Sequence, residues 1–355
     1  MNRSAHRVPR WELAPAYSVA AIINGGWQLS HGHRQQPLDR RESMDGLLAL
    51  VDAGFTTFDC GDIYLGVEEF LGELLARYGA RESAAPPLQI HTKFVPDLDS
   101  LAHLKRTDVQ RIVDRSLKRL GVERLDLVQF MWWDYSIHRY VEVATWLDDL
   151  RRDGKIHLLG VTNFDVSHLK EIVDAGVALV VNQVQYSMLD HRPERGMSAF
   201  CQEHGIQLLA YGTLAGGFLS PSYLGLPEPG ESLANRSLVK YHLIIHEFGG
   251  WNEFQKLLVA LDRIATRHGV SVSNVAVRWV LDQPRVAAAI IGAGDARHLE
   301  ENLRTFNLSL DEADLELLAP FSNRGPEGDV YGVERVKGGP HAAIMKYNLN
   351  SDAGV

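Results

Sequence analysis

Short apolar runs alternate with longer amphipathic segments along most of this chain. Eight runs read as strands: VAAIIN (19–24), TTFDC (56–60), LQIHTKF (88–94), LDLVQFMWW (125–133), HLLGVTNF (157–164), LVVNQVQYS (179–187), IQLLAYGT (206–213) and VAAAIIGAG (286–294). They are rich in Val, Ile and Leu without clean alternation, as strands covered on both faces should be. Segments between them, such as RRESMDGLLALVDAG, TDVQRIVDRSLKRLG, RYVEVATWLDDLRRDG and NEFQKLLVALDRIATRHG, space apolar residues three and four apart and end at Gly, a helix stop signal. Eight strands alternating with helices predict a single-domain α/β protein, a (β/α)8 TIM barrel with parallel strands. An open doubly wound sheet is the alternative, and the absence of GxGxxG after the first strand weakens it. The barrel is expected over residues 15–322. A connection over about 215–250, containing Pro221, Pro227 and Pro229, follows the seventh strand. It lies on the face where barrel sites are built and reads as a loop covering cofactor or substrate. The Gly-rich, polar tail 323–355 reads either as a pocket-lining loop or as disordered.

Composition narrows the class. A chain of 355 residues, 45% hydrophobic, suits one α/β barrel with insertions. No apolar stretch reaches the roughly 18 residues of a membrane span, and the N-terminus lacks the apolar segment of a secretory signal. Cys60 and Cys201 are too few for a disulfide framework and read as unpaired core thiols, so a cytoplasmic location is expected. A net charge of −9 with interspersed signs disfavours nucleic acid and anionic membrane as partners. A small-molecule substrate is the expected partner, and no protein partner is predicted. His31 and His33 form an HxH without further ligands at metal spacing, so no metal site is predicted.

Three strand ends carry candidate chemistry. Asp59 closes the second strand in FDCGDIY, Tyr64 follows on the loop, and Lys93 sits near the end of the third strand in HTKF. In a barrel such positions face the active-site mouth. An ammonium beside a phenol favours the phenolate, lowering a pKa that is ordinarily near 10, while a carboxylate holds the ammonium in place. Tyr64 would then exchange protons near neutral pH. A structural Asp–Lys pair beside an unrelated tyrosine satisfies the same spacing.

The blocks FDCGDIY, GVEEFLG, HTKF, LGVERLDLVQF, GVTNF, NQVQYS and LAYGTLAGGFLS, in this order, resemble consecutive motifs of the aldo-keto reductases, and the likeness runs over about 25–302. The resemblance implies a Tyr–Lys–Asp–His tetrad beside NADP or NAD. It makes Tyr64 the proton donor, Lys93 the group that depresses its pKa and Asp59 the carboxylate behind the lysine. It assigns Thr162, Asn163 and Gln183 to the carboxamide, Tyr211 to stacking on the nicotinamide, and Gly212, Thr213, Leu214 and Gly216 to the pyrophosphate loop. Trp27 matches a substrate-pocket aromatic. Glu301 and Asn302 match adenine contacts.

Two departures qualify the resemblance. The fourth-strand block reads Phe130-Met131-Trp132-Trp133, placing Met131 where the family's histidine stands. A thioether donates no hydrogen bond, and losing a donor at a developing oxyanion costs about 3 kcal/mol, roughly a hundredfold in rate. Met131 and Trp132 are expected to line the substrate pocket instead. At the adenosine end, Gly292 is followed by Ala293, Gly294 and Asp295, where members preferring a 2′-phosphate place Lys or Arg. Arg297, His298 and the start of the next helix are the alternative sources of positive charge. The expected function is therefore a nicotinamide-dependent oxidoreductase acting on a small carbonyl or a conjugated enone. A redox-neutral acid/base enzyme (dehydratase, lyase or isomerase) on the same scaffold is the alternative, followed by a catalytically silent cofactor-binding protein.

Overall fold

In the computed structural model, which describes residues 8–31, 38–81, 87–230 and 233–350, eight parallel strands close into a barrel. An antiparallel hairpin of β1 (Arg10–Ala14) and β2 (Tyr17–Ala20) comes first. The barrel strands are β3 (Ile22–Gly25), β4 (Thr57–Asp59), β5 (Gln89–Phe94), β6 (Leu125–Phe130), β7 (Ile156–Thr162), β8 (Leu179–Gln185), β9 (Gln207–Tyr211) and β10 (Val286–Gly292). They pair in chain order, and β10 closes against β3 with Ile291 opposite Asn24. The eight expected runs are thus the eight barrel strands. The exception within them is 19–24, which the hairpin and β3 divide. His33 lies outside the described residues.

The hairpin seals the N-terminal end of the barrel. Leu13, Tyr17 and Val19 pack with the inward-facing Ile23, Leu127, Leu158, Val181 and Leu209 in one apolar cluster. The Tyr17 hydroxyl meets His91 Nε2 at 3.1 Å on the axis below the site. A ligand therefore enters from the other end, where the strands' C-terminal residues and their loops gather.

Helices surround the sheet because their apolar stripes need its outer face. In chain order they are α1 (Arg40–Asp52), α2 (Val67–Gly79), α3 (Arg106–Leu120), α4 (Tyr140–Arg152), α5 (Val166–Asp174), α6 (Met197–His204), α7 (Arg236–Phe248), α8 (Trp251–His268), α9 (Val272–Leu281) and α10 (Leu299–Arg304). In α3, Val109, Ile112, Val113, Ser116 and Leu120 are buried, and Gly121 ends the helix in the left-handed region at φ 68°. Cys60 and Cys201 are both buried and unpaired. Among the described residues no helix is long and apolar enough to cross a membrane.

Two segments shape the mouth, and the first differs from expectation. The connection over 215–250 is not a loop throughout: it contains α7 (Arg236–Phe248), capped by the Asn235 side chain, which accepts from Leu238 N at 3.0 Å. The long α8 (Trp251–His268) follows directly. The tail folds over the same end. Glu334 forms a two-pronged pair with Arg192, at 2.7 and 3.0 Å, and Arg192 also grips Asp190 at 2.6 Å. Arg335 donates to the backbone oxygens of Asn163 (2.9 Å) and Trp132 (2.8 Å), and Tyr347 meets Trp133 edge-on at 5.1 Å.

Candidate active site

Strand pairing brings the predicted proton-transfer groups together. Asp59 ends β4, Lys93 lies one strand over, and the two form a buried ion pair. Lys93 Nζ also donates to Cys60 O at 2.7 Å. The second Asp59 oxygen, Oδ1, accepts from Gln129 Nε2 and Gln183 Nε2, each at 2.7 Å. Gln183 further donates to Gln129 Oε1 at 2.7 Å. Gln129 escaped the sequence reading. Its only signal is a polar residue inside the apolar run LDLVQF, and only barrel closure shows that it faces Asp59.

Tyr64 hangs from the turn after β4, its N–H bonded to Gly61 O at 2.9 Å. Lys93 Nζ lies 5.1 Å from the centre of its ring, and Trp27 packs edge-on against it at 4.8 Å. The protonation balance corrects one expectation. Burial is the largest influence on the phenol and raises its pKa, and the Lys93 charge only partly offsets it, so the net direction is upward. Burial also opposes the Lys93 ammonium, but Asp59 and Tyr64 together outweigh it and hold the lysine charged. Tyr64 is thus held in its protonated form near neutrality.

The rim residues are already engaged with one another. Thr162 Oγ1 donates to Gln183 O at 3.0 Å. Asn163, in the left-handed region at φ 61°, accepts from the Tyr211 hydroxyl at 2.9 Å and points its amide nitrogen at Met131 Sδ at 3.8 Å. Gln183's amide nitrogen serves Asp59 and Gln129. Lys240 of α7, unforeseen from the sequence, places Nζ 4.9 Å from the Tyr211 ring centre and 3.4 Å from its hydroxyl. Tyr241 and Tyr331 complete an aromatic surround at 5.7 and 5.6 Å. Burial lowers the Lys240 pKa, and Glu334 partly restores it. The helical spacing of α7 was the available signal, and the proline-rich stretch before it obscured it.

The remaining assignments divide. Trp132 is fully buried, its N–H donating to Asp134 O and Ile137 O at 3.0 Å, and it belongs to the core instead of the substrate pocket. Adjacent residues at a strand end point opposite ways, and Trp133 is the one left partly exposed, against Tyr347. Met131 is 2% exposed, sealed beneath the rim rather than lining an open pocket. Trp27 is the expected pocket residue that stays partly exposed, beside Tyr64.

At the far end of the cleft, Gly292, Arg297, His298 and Asn302 line one cavity of about 200 Å³, with Asn24, Gln28 and Asp295. Glu301 does not line it: its carboxylate accepts from Ser271 Oγ at 2.6 Å and pairs with His298 at 3.2 Å. The helix after Asp295, α10 (Leu299–Arg304), is too short to supply a useful dipole, and it carries Glu300 and Glu301 in its first turn. Arg297 closes on Asp295 at 2.8 Å, so each cancels the other.

A dinucleotide can be tested against these features. The adenosine-end cavity is of nucleoside size. The loop after β9 holds Gly212 (φ 73°), Ala215 (φ 48°), Gly216 (φ 66°) and Gly217 (φ 107°) in left-handed conformations, and the buried Thr213 hydroxyl has no partner among the described residues. Side chains at 212 or 216 would collide with Tyr241, which lies 2.6 to 2.9 Å from where their Cβ atoms would stand. The unpartnered Thr213 hydroxyl is the group of this loop that fits a phosphorylated ligand, and Tyr241 of α7 packs on the loop's glycines.

Comparison with known proteins decides the family. The model of the aldo/keto reductase family matches residues 21–322. This chain belongs to the aldo/keto reductase family. Aldo-keto reductase YhdN of Bacillus subtilis is 29% identical over 269 residues, 74% of this chain and 78% of the relative. Flagellar radial spoke protein 5 of Chlamydomonas reinhardtii is 27% identical over 314 residues, 72% of this chain but only 59% of that longer protein. The thermostable aldo-keto reductase Tm1743, solved with the inhibitor epalrestat, superposes with a TM-score of 0.68 at 27% identity, covering 88% of this chain and all of that one. This aldo/keto reductase is therefore a nicotinamide-dependent oxidoreductase in kind, and its tail beyond residue 322 lies outside the matched region.

Proposed function

We propose that this protein reduces a small carbonyl compound or conjugated enone with a nicotinamide cofactor, Tyr64 giving the proton. The observation that carries this reading is the buried Asp59–Lys93 pair set against a phenol whose pKa is raised by burial. When bound, the cofactor supplies a hydride. Thr162, Asn163 and Gln183 would hold its carboxamide, the 212–217 loop its pyrophosphate, and the cavity beside Gly292 its adenosine.

The residues of the chain do the rest. Lys93, fixed by Asp59 and Cys60 O, stabilises the phenolate that Tyr64 becomes after donating its proton. Asp59, fixed in turn by Gln129 and Gln183, keeps the ammonium from drifting. Met131 takes the place of the tetrad histidine, so no neutral donor polarises the carbonyl from that side. The deficit of about 3 kcal/mol at a developing alkoxide favours substrates whose charge is spread, as in an enolate whose oxygen Tyr64 protonates. Tyr64→Phe should lower turnover by about 10² to 10⁴, the usual value of a general acid, while leaving cofactor binding intact. Turnover unchanged in that variant would overturn the reading.

The cofactor preferred is the unphosphorylated one. Asp295 and Arg297 neutralise each other, and His298 faces Glu301, so among the described residues lining this cavity no surplus cation meets a 2′-phosphate. Fluorescence titration should show NADH binding at least about tenfold more tightly than NADPH, or about 1.4 kcal/mol. Tighter NADPH binding would contradict it.

A further inference from the structure

The helix that covers the mouth carries a second cluster of ligand-type side chains. His242 and His246 lie four residues apart on α7 and so share one face, with ring centres 4.5 Å apart. Both imidazoles aim at one carboxylate oxygen: Glu228 Oε1 is 2.9 Å from His242 Nε2 and 3.3 Å from His246 Nε2. The three ligand atoms fall within 4.8 Å of one another. In a tetrahedral zinc site with bonds of 2.0–2.1 Å, ligand atoms stand about 3.4 Å apart; the two spacings to Glu228, 2.9 and 3.3 Å, are within tenths of an ångström of that value, and the third lies within 4.8 Å, closed by a turn of the exposed His246 ring.

We propose that Glu228, His242 and His246 form a Zn²⁺ site, with water in the fourth position. Two imidazoles and one carboxylate are a zinc donor set, and an open position is normal for three protein ligands. His242 is held in place, its ring 6.3 Å from Phe218 and 6.2 Å from Trp251. Glu228 and His246 are exposed, at 41% and 51% of their side-chain surface, so solvent reaches the cluster. The other cluster of this type, His268 with Asp311 and Asp314, is already satisfied by Arg267, which bonds both carboxylates. The metal would tie the segment before α7 to α7 itself. Lys240 and Tyr241, immediately before His242, rest on Tyr211 and the 212–216 backbone, so occupancy would brace the cover over the cofactor rim.

The test uses the full chain, stripped with a chelator and titrated with ZnCl₂ against a competing chromogenic chelator. One equivalent should bind with micromolar or tighter affinity at pH about 7.5. Binding should weaken as the pH falls, because metal-ligating imidazoles must be deprotonated. Saturation should raise the melting temperature by several degrees. The double variant H242A/H246A should lose this equivalent while melting within a degree or two of the stripped parent; should it not fold, Glu228→Gln, on the exposed segment, should weaken binding at least tenfold. Failure of the parent to compete at micromolar Zn²⁺, or retention of the same stoichiometry and affinity in these variants, would overturn the assignment.

Discussion

The proposed chemistry turns on residue identity at two points, Tyr64 and Met131. The spacing of FDCGDIY and HTKF made Asp59, Tyr64 and Lys93 legible, because strand ends in a parallel barrel converge on one mouth. The direction of Tyr64's pKa was not legible. A neighbouring lysine suggests depression, and only three-dimensional burial shows that desolvation wins. The consequence is testable. Reduction requires protonated Tyr64, so the rate should stay level on the alkaline side up to about pH 10, the ordinary tyrosine value. A fall with a midpoint below about pH 9 would show that Lys93 dominates. On the proposed reading Met131→His introduces a donor beside Asn163, and carbonyl reduction should rise by up to about a hundredfold. An unchanged aldehyde rate with the fold intact would mean that position 131 does not face the reacting oxygen.

At the scale of elements, the strands were readable from apolar runs because both sheet faces are covered. The cover elements were not. The periodicity of α7 lies behind a Pro- and Gly-rich approach, and the tail's role depends on a contact across 142 positions, Arg192 with Glu334. Burial opposes ionisation of Glu334, but Arg192 outweighs it and pulls the carboxyl down to about 2. Removing one partner of a buried pair leaves an uncompensated charge and costs about 3–5 kcal/mol. Glu334→Gln should therefore lower unfolding stability by roughly that amount and open the tail to limited proteolysis. Equal stability and equal protease resistance would show that the tail is not held by this pair.

At the scale of the whole molecule, the sealed end of the barrel should contribute acid sensitivity. His91, bonded to Tyr17, has its pKa lowered to about 4, first by burial, with Asp59 raising it and Lys93 lowering it further. The unfolded chain takes up this proton near pH 6.5 and the folded chain only near 4. The contribution is full above about 6.5 and is lost as pH falls towards 4, up to about 3 kcal/mol for this shift. Denaturant titrations across that window should show the decline, and His91→Gln should flatten it. The fold class and the barrel's extent were legible because eight repeats of one pattern admit few topologies. The hairpin plug was not, since its second strand runs into the first barrel strand without a break in the apolar pattern.

The most direct test follows nicotinamide absorbance while purified protein, reduced cofactor and a panel of aldehydes and conjugated enones are mixed, for the parent and for Tyr64→Phe. Cofactor oxidation in step with product, lost in the variant although it still binds cofactor, is the predicted result. Product formed without cofactor oxidation, or oxidation undiminished in Tyr64→Phe, would contradict the account.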